Sequence, residues 1–323
     1  MDVVLGVDVG GTTIAAGVVT EAGQVLAEAR LPTHHAGRGT AVATILALTA
    51  SMHTAAAERG LRVTGIGVGV PALVDAATGR IGDEALNVPE LAGVPLATTL
   101  AERFGVAAFI DNDVNALALA ELLFGAGRGA RSLVVLAPGT GFGAGIVLDG
   151  RLVRGALGFG GELGHTPVKF DGRPCWCGGR GCLAVYASGR GIAEAARERL
   201  AGEPASSLRA LAGDDPAAIS APLVFRAAEM GDALAAAIVD EACRALGAMI
   251  ATVVNGLNPE VIVITGGVAG AYAALEKKIR AAAAEYAFQR ALAGTTLVIT
   301  PGDKTLSMRG AAALVLYETR RAP

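Results

Sequence analysis

The sequence contains the same order of strands and glycine turns twice. The two copies are VDVGGTTIAAGVVTEAGQVL, residues 7–26, and LVVLAPGTGFGAGIVLDGRLV, residues 133–153. In each copy, short apolar runs are separated by glycine-containing turns, a pattern that predicts strand, turn, strand, turn, strand. Both copies have a Gly-Thr pair in the first turn and an Ala-Gly pair before the next apolar run. This internal duplication predicts two related domains, each contributing one glycine loop to a shared cleft.

The first turn of each copy is a candidate phosphate-binding loop. Glycine has no Cβ, so the backbone N–H groups of such a loop can approach an oxyanion closely. An ordinary tight hairpin explains the first loop equally well on its own, but the recurrence of the loop favours phosphate binding. Asp8 ends the first strand and could hold Mg²⁺ through a water molecule. The candidate phosphate-binding residues are Gly10, Gly11, Thr12 and Thr13 in the first loop and Gly139, Thr140 and Gly141 in the second.

Two other glycine motifs do not fit the sequence. Residues 139–145, GTGFGAG, partly match the dinucleotide-binding fingerprint, but that fingerprint requires a helix after the loop and a strand is predicted here. The chain contains no G-x4-G-K-[ST] sequence, which excludes a P-loop NTPase.

A Gly- and Pro-rich segment, residues 160–188, holds a histidine and three of the four cysteines. One imidazole and three thiolates complete tetrahedral zinc coordination with no open position, so a structural zinc is predicted. The alternative is three unrelated reduced thiols, but the C-x-C-x4-C spacing with a histidine just upstream favours a metal. The zinc would fold a loop that has little apolar content of its own. The predicted ligands are His165, Cys175, Cys177 and Cys182.

Clustered polar residues indicate binding of a small polar ligand. Asp111, Asn112 and Asp113 follow a buried strand and precede a helix, at the strand end where open α/β sheets bind ligands. A helix N-cap explains one such residue but not three. Glu162 lies three residues before His165, whose second ring nitrogen would take a further partner such as a ligand hydroxyl. An exposed loop carboxylate is the alternative interpretation of Glu162.

Together these motifs resemble the ROK family of sugar kinases and sugar-responsive repressors. The chain has the family's GTG loop at residues 139–141, its G-E-x-G-H motif at 161–165 and its C-x-C-G-x2-G-C motif at 175–182. The resemblance covers nearly the whole chain and implies an α/β fold of the actin/Hsp70/hexokinase-like (ribonuclease H-like) type, with duplicated domains around a central cleft. The implied domains are residues 1–112 plus 308–323, because the family's last helix returns to the first domain, and residues 113–307.

The resemblance also implies ATP-dependent phosphorylation of a hexose, with the 6-hydroxyl expected as acceptor and with ATP, Mg²⁺ and structural Zn²⁺ as cofactors. Asp113 corresponds to the family's general base. Asn87 matches an asparagine that touches the sugar, although a turn-forming Asn near a proline explains it equally well. The family's third nucleotide-binding element corresponds to the glycine pair 266–267 after a predicted strand, and an ordinary strand-to-helix turn explains that pair as well. The implied sugar-binding residues are Asn87, Asn112, Glu162 and His165, and the implied adenosine-contacting residues are Gly266 and Gly267.

The chain departs from the family at two positions. Many relatives have a lysine after the threonine of the first loop, where this chain has Thr13. Phosphate charge would therefore be met mainly by backbone dipoles and metal. Family glucokinases usually have a sugar-contacting glutamate where this chain has Ala184. The acceptor is therefore left open among glucose, mannose, fructose, an N-acetylhexosamine and a cyclitol.

Composition excludes several classes of protein. A net charge of −3 gives no basic footprint for nucleic acid, and the most hydrophobic predicted helix, residues 234–257, carries three charged side chains. No signal peptide is predicted, and reduced metal-binding cysteines favour a cytoplasmic protein. We expect sugar and ATP as partners of a homodimer or homotetramer, with neither nucleic acid nor membrane. A repressor of the family is not expected, because such proteins carry a DNA-binding winged helix-turn-helix ahead of the sugar domain and the first strand is predicted here from residue 2. A non-catalytic sugar-binding protein is the other alternative.

Local patterns predict several further elements. Helices are predicted at residues 39–60, 95–104, 189–201 and 232–255. Cys243 lies mid-helix among Ala and Leu and is expected in the core. The last segment predicts a strand, a break at Gly310 and a closing helix.

Overall fold

The computed structural model describes residues 1–82, 85, 87–203, 205–302 and 304–320. Its strands are β1 (Asp2–Val9), β2 (Thr13–Thr20), β3 (Val25–Pro32), β4 (Arg62–Val70), β5 (Val74–Asp75), β6 (Arg80–Ile81), β7 (Ala107–Asn112), β8 (Leu133–Pro138), β9 (Phe142–Leu148), β10 (Arg151–Leu152), β11 (Val261–Gly266) and β12 (Thr296–Pro301). Its helices are α1 (Ala41–Ala57), α2 (Leu96–Phe104), α3 (Asp113–Phe124), α4 (Ala184–Ala187), α5 (Gly189–Leu200), α6 (Leu208–Leu211), α7 (Ala221–Glu229), α8 (Ala233–Leu257), α9 (Ala269–Ala273), α10 (Glu276–Ala284), α11 (Gln289–Gly294) and α12 (Lys304–Thr319). The four predicted helices are confirmed as α1, α2, α5 and α8, with small differences at their ends.

The first sheet has the strand order β3-β2-β1-β4-β7. Strands β1 and β2 form an antiparallel hairpin, whereas β1, β4 and β7 are parallel. Every residue of β1 after Asp2 is buried, because both faces of the strand are covered. Val3 and Leu5 pack in the cluster that contains Ile45 of α1, and Val4 packs with Val315 of α12. This burial on both faces explains the nearly continuous apolar sequence of the strand.

Helix α12 packs directly on the backbone of this sheet. A Cβ atom on Gly67 of β4 would lie 1.8 Å from the carbonyl oxygen of Ala311, so only glycine permits the contact. The predicted break at Gly310 is wrong, since α12 is continuous from Lys304 to Thr319. A Cβ on Gly310 would lie 2.6 Å from the Ala116 carbonyl oxygen of α3. This glycine therefore provides a close helix-helix approach and not a helix end.

The second sheet has the strand order β10-β9-β8-β11-β12. Strands β8, β11 and β12 are parallel, with Val261 opposite both Leu133 and Thr296. Its order repeats that of the first sheet. In each sheet, three strands that are consecutive in the chain form one side, and two later strands, parallel to the first of the three, form the other side. The predicted duplication of a three-strand unit and the predicted α/β fold class are confirmed.

The chain forms two compact units. One comprises Met1–Arg131, Gly145–Gly161 and Asp303–Pro323, and the other comprises Ser132–Ala144 and Glu162–Gly302. The domain division expected from the sequence, residues 1–112 plus 308–323 and residues 113–307, stays a prediction. Among the described residues, no helix combines the length and apolar character required to cross a membrane.

Candidate functional site

The first glycine loop closes the β1–β2 hairpin as a short turn that is anchored at both ends. The N–H of Gly10 donates to the carbonyl oxygen of Thr13 at 3.0 Å. Thr33, just after β3, donates its hydroxyl to the Gly10 carbonyl oxygen at 2.6 Å and its N–H to that of Thr12 at 3.0 Å. Gly11 and Thr12 form the exposed part of the turn. The loop is thus held rigidly while its tip remains accessible.

Asn87 lies beside this loop in the same unit. Its carbonyl oxygen is 3.5 Å from the position that a Cβ on Gly11 would occupy, and its side chain is exposed. The structure therefore brings a residue predicted to bind sugar next to a loop predicted to bind phosphate.

Asp8 and Asp113 lie at the same edge of the first sheet. Asp8 is opposite Gly69 in the β1–β4 register, and Gly69 is opposite Asp111 in the β4–β7 register. Because β1, β4 and β7 are parallel, their carboxyl ends meet at one edge, where ligands bind in sheets of this kind. Asp113 directly follows the last residue of β7, just beyond that edge. Its Cα is 3.4 Å from the position that a Cβ on Gly69 would occupy. Asp8 itself is only 7% exposed.

Asn112 caps the helix that begins at Asp113. Its side-chain oxygen accepts hydrogen bonds from the N–H groups of Val114 at 2.9 Å and Asn115 at 3.3 Å. Its amide nitrogen lies 3.4 Å from the carbonyl oxygen of Ala72. Helix capping thus accounts for the side-chain oxygen of Asn112. Its NH₂ group takes no part in the cap and points toward Ala72. Asp113, in the first helical turn, is half-buried.

Asp111 has a partner that the sequence did not indicate. The side chain of Asp111, only 3% exposed, accepts a 2.7 Å hydrogen bond from Nε of Arg154. Its other oxygen accepts from the backbone N–H of Asn112 at 2.8 Å and the side-chain amide of Asn115 at 2.9 Å. The sequence places a carboxylate at the end of a buried strand, where a cationic partner is expected. No local pattern identifies that partner as Arg154, 43 residues further along the chain.

The second glycine loop, Gly139–Gly141, is docked on the start of α5. The N–H of Gly139 donates to the Gly141 carbonyl oxygen at 2.9 Å, which makes the turn tight. The N–H groups of Gly189 and Arg190 donate to the carbonyl oxygens of Gly139 and Thr140 at 2.8 and 3.1 Å. These two N–H groups at the start of the helix therefore hold the loop in position.

Gly266 is the last residue of β11 and Gly267 follows it, beside the end of β8. Gly266 has a φ of +145°, and a Cβ there would lie 2.6 Å from the carbonyl oxygen of Pro138. The N–H of Val268 donates to the same oxygen at 2.9 Å. The third predicted nucleotide element is thus adjacent to the strand that leads into the second loop.

The four predicted zinc ligands converge. The side-chain donor atoms of His165, Cys175, Cys177 and Cys182 lie within 4.8 Å of one another. Nδ1 of His165 is 3.5 Å from Sγ of Cys175, and Sγ of Cys177 is 3.8 Å from Sγ of Cys182. Zn–S bonds of about 2.3 Å and Zn–N bonds of about 2.0–2.1 Å in a tetrahedron require separations of about 3.6 Å for N···S and about 3.8 Å for S···S. The donor set therefore fits a closed zinc site.

The surroundings of the three thiols shift their pKa values in different directions. Burial raises the pKa of Cys182 to about 12 and also raises the pKa of Cys175. At Cys177 a hydrogen bond from the Gly179 N–H lowers the thiol pKa. A bound cation would favour the thiolate form, which is the form that ligates a metal.

Glu162 precedes a short 3₁₀ turn, Leu163–His165, and His165 is the last residue of that turn. A Cβ on Gly164 would lie 1.9 Å from the carbonyl oxygen of Phe142, so the turn packs against the first residue after the second glycine loop. Since Nδ1 of His165 faces the thiols, its Nε2 is available to another partner. Glu162 is exposed. This turn joins the predicted metal ligand His165 to the second loop within one unit.

Trp176 links the cysteine loop to α5, a contact that the sequence does not indicate. Its ring packs edge-on against the His165 ring, with 6.4 Å between centroids, and the guanidinium of Arg190 lies 4.4 Å from its centre. Arg190 is the residue whose N–H holds Thr140. The side chain between two predicted metal ligands thus contacts the start of the helix that positions the second loop.

Two further residues are placed in the interior. Ala184 opens α4 and is fully buried. Cys243 is fully buried on α8, as expected for a core residue. It is not part of the metal cluster.

The ROK family model matches residues 4–318. The chain belongs to the ROK family. A glucokinase of Halalkalibacterium halodurans is 38% identical over 292 residues, covering 90% of this chain and 88% of that protein. The crystal structure of a ROK glucokinase from Streptomyces griseus, in complex with glucose and AMPPNP, has a TM-score of 0.75 and 32% identity, covering 97% and 98% of the two chains. A ROK transcriptional regulator, a homologue of the E. coli Mlc protein, has a TM-score of 0.85 and 30% identity, covering 98% of this chain and 78% of that one.

Proposed function

We propose that this ROK protein is an ATP-dependent sugar kinase that phosphorylates a hexose, at the 6-hydroxyl. The observation that supports it most is the position of Asp113 at the sheet edge that also carries Asp8 and the first glycine loop. Glucokinases among the similar proteins support the same reaction class. Phosphoryl transfer requires positioning and charge neutralisation more than covalent chemistry, and these residues supply both.

The glycine loops hold the phosphates of ATP. Gly11 and Thr12 present the exposed tip of the first loop, and the second loop is fixed by its hydrogen bonds to α5. A loop that is held rigid before the nucleotide arrives loses little entropy when it binds. Because Thr13 replaces a lysine, backbone dipoles carry most of the interaction. The proposed nucleotide-binding residues are Asp8, Gly10, Gly11, Thr12, Thr13, Gly139, Thr140, Gly141, Gly266 and Gly267.

Asp8 fits a role in holding Mg²⁺. Its carboxylate is an oxygen ligand of the kind Mg²⁺ prefers, and it is buried at the strand end next to the exposed loop. When bound, the ion neutralises charge on the phosphates.

Asp113 accepts the proton of the attacking hydroxyl as general base. General-base catalysis contributes about 10²- to 10⁴-fold to such reactions. Asn87, Glu162 and His165 hold the sugar hydroxyls, together with the amide group of Asn112. The zinc ligands keep the turn that carries Glu162 and His165 in one conformation. Preorganised acceptors of this kind favour one orientation of the sugar.

The identity of the sugar rests on fewer residues. Ala184 removes one carboxylate acceptor, and a hydrogen bond to a charged group contributes about 1.5–3 kcal/mol. That loss is enough to change the preference among glucose, mannose, fructose, an N-acetylhexosamine and a cyclitol. A non-catalytic sugar-binding regulator is the second candidate, which the similarity to a ROK transcriptional regulator favours.

An ADP-release assay over a panel of hexoses, hexosamines and cyclitols tests this proposal. We expect ATP-dependent turnover with at least one hexose and none without added sugar. EDTA-treated samples with restored Mg²⁺ serve as the metal control. If sugars bind but no member of the panel releases ADP, the regulator is the better assignment.

A further inference from the structure

The neighbours of Asp113 in the chain belong to a hydrogen-bond network centred on Asp111. The two side-chain oxygens of Asp111 have different partners. One accepts from the Asn112 N–H and from the amide group of Asn115, and the other accepts from Nε of Arg154. Asn115 is 3% exposed, and only its NH₂ group can donate to a carboxylate, so its orientation is determined. Asp111 thus ties the end of β7 to the first turn of α3.

Arg154 is itself held in place from several sides. Its Nη2 pairs with Glu318 on α12, and its guanidinium lies 5.9 Å from the centre of the Tyr317 ring. The hydroxyl of Tyr317 accepts a 2.8 Å hydrogen bond from the N–H of Leu152, two residues before Arg154. The arginine side chain, 23% exposed, therefore bridges one deeply buried and one partly exposed carboxylate.

We propose that Arg154 is a positioning residue for the reaction, acting through Asp111 on the general base Asp113. This inference rests on the proposed function. Its physical basis is that Asp111 fixes the backbone of Asn112 and the side chain of Asn115, the residues on both sides of Asp113 in the first helical turn. On its other side Asp113 faces Gly69, where an added Cβ would lie 3.4 Å from the Asp113 Cα. A displacement of about 1 Å at a reacting group can cost about 10²-fold in rate.

The guanidinium is required and not merely a positive charge. Arginine presents several donors in a planar fork, so it can bond Asp111 and Glu318 at the same time with fixed geometry. A lysine at this position has one compact ammonium group and would have to favour one of the two carboxylates. The carboxylate of Asp111 would then lose its orientation, its neutralising charge, or both.

Kinetics of three variants test this inference. Arg154→Met removes the fork, Arg154→Lys keeps the charge, and Glu318→Gln breaks the outer ion pair while leaving the bond to Asp111. We expect kcat to fall about 10- to 100-fold in Arg154→Met, with an intermediate fall in Arg154→Lys. KM for ATP should stay within about twofold in every variant, because the phosphate loops are untouched. Glu318→Gln should keep kcat within about twofold, while its Tm falls as it does in Arg154→Lys.

The outcomes separate positioning from a purely structural role. If kcat of Arg154→Met matches that of Glu318→Gln, or if kcat and KM in all variants change only with the folded fraction, the inference is wrong. Should Arg154→Met fail to fold, Arg154→Lys decides: at least a threefold fall in kcat at unchanged KM supports positioning, and kcat equal to that of Glu318→Gln refutes it. A wild-type protein without kinase activity would instead refute the proposed function.

Discussion

Removal of zinc should disturb the second glycine loop as well as the cysteine loop. Trp176 lies between two of the predicted zinc ligands in the chain and packs against the ring of a third. It also contacts Arg190, whose N–H donates to the Thr140 carbonyl oxygen. Trp176 is the single tryptophan of the chain and is 38% exposed. Its fluorescence therefore reports directly on the metal site. We expect chelation to shift its emission to longer wavelength and to raise KM for ATP.

The size of the stability effect follows from mass action. A metal that binds only the folded state, at a free concentration 1,000 times its Kd, stabilises that state by about 4.1 kcal/mol. For folding units of about 150–250 residues, each kcal/mol shifts Tm by about 2–4 °C. The four predicted zinc ligands lie within the unit that comprises Ser132–Ala144 and Glu162–Gly302. We therefore expect chelation to lower the Tm of that unit by about 8–16 °C.

Three measurements check this prediction: zinc content by mass spectrometry, Trp176 emission, and Tm with and without chelator. We expect one zinc per chain in the wild type and much less in Cys177→Ser. Cys243→Ala is the matched control, because Cys243 is a buried thiol outside the cluster, and it should retain one zinc. A wild type without bound zinc, or one with an emission spectrum and Tm that chelation leaves unchanged, would refute the reasoning.

Two further predictions concern stability. Asp232 caps α8 by accepting from the Ala235 N–H at 2.9 Å and also binds the N–H and hydroxyl of Ser207, so Asp232→Ala should cost about 3 kcal/mol in urea unfolding. Burial opposes ionisation of Asp232, but these hydrogen bonds outweigh it and lower the carboxyl pKa; its contribution should be present above about pH 4 and lost as pH falls further, a loss that the alanine variant should lack. Gly310→Ala should destabilise by about 1–3 kcal/mol in the same assay, because its Cβ would meet the Ala116 carbonyl oxygen, whereas a gain of stability would show that close packing is unimportant there.

The sequence determines local elements well because their causes are local. The apolar runs of β1 and β8 predict buried strands, the glycine turns predict the hairpins, and the repeated order predicts the duplicated sheets. The cysteine spacing predicts convergence because a short loop limits how far its ends can separate. Asn112 shows the limit of this reasoning, since capping alone explains its oxygen although it was expected to contact the sugar.

Contacts between distant segments could not be predicted in the same way. The bond from Arg154 to Asp111 joins residues 43 positions apart, and no periodicity in either segment encodes it. The sequence predicts a helix break at Gly310 because a glycine that breaks a helix and one that permits close helix packing look identical in sequence. The contact of Trp176 with Arg190 depends on how the metal loop folds back on α5, which spacing alone does not specify.

The proposal that Asp113 is the general base is tested most directly by Asp113→Asn. The substitution preserves size but removes the group that accepts the proton, so we expect kcat to fall about 10²- to 10⁴-fold. Sugar and ATP affinities, measured by calorimetry, should stay within about threefold of the wild type. Turnover within tenfold of the wild type, with binding intact, would contradict the assignment of Asp113.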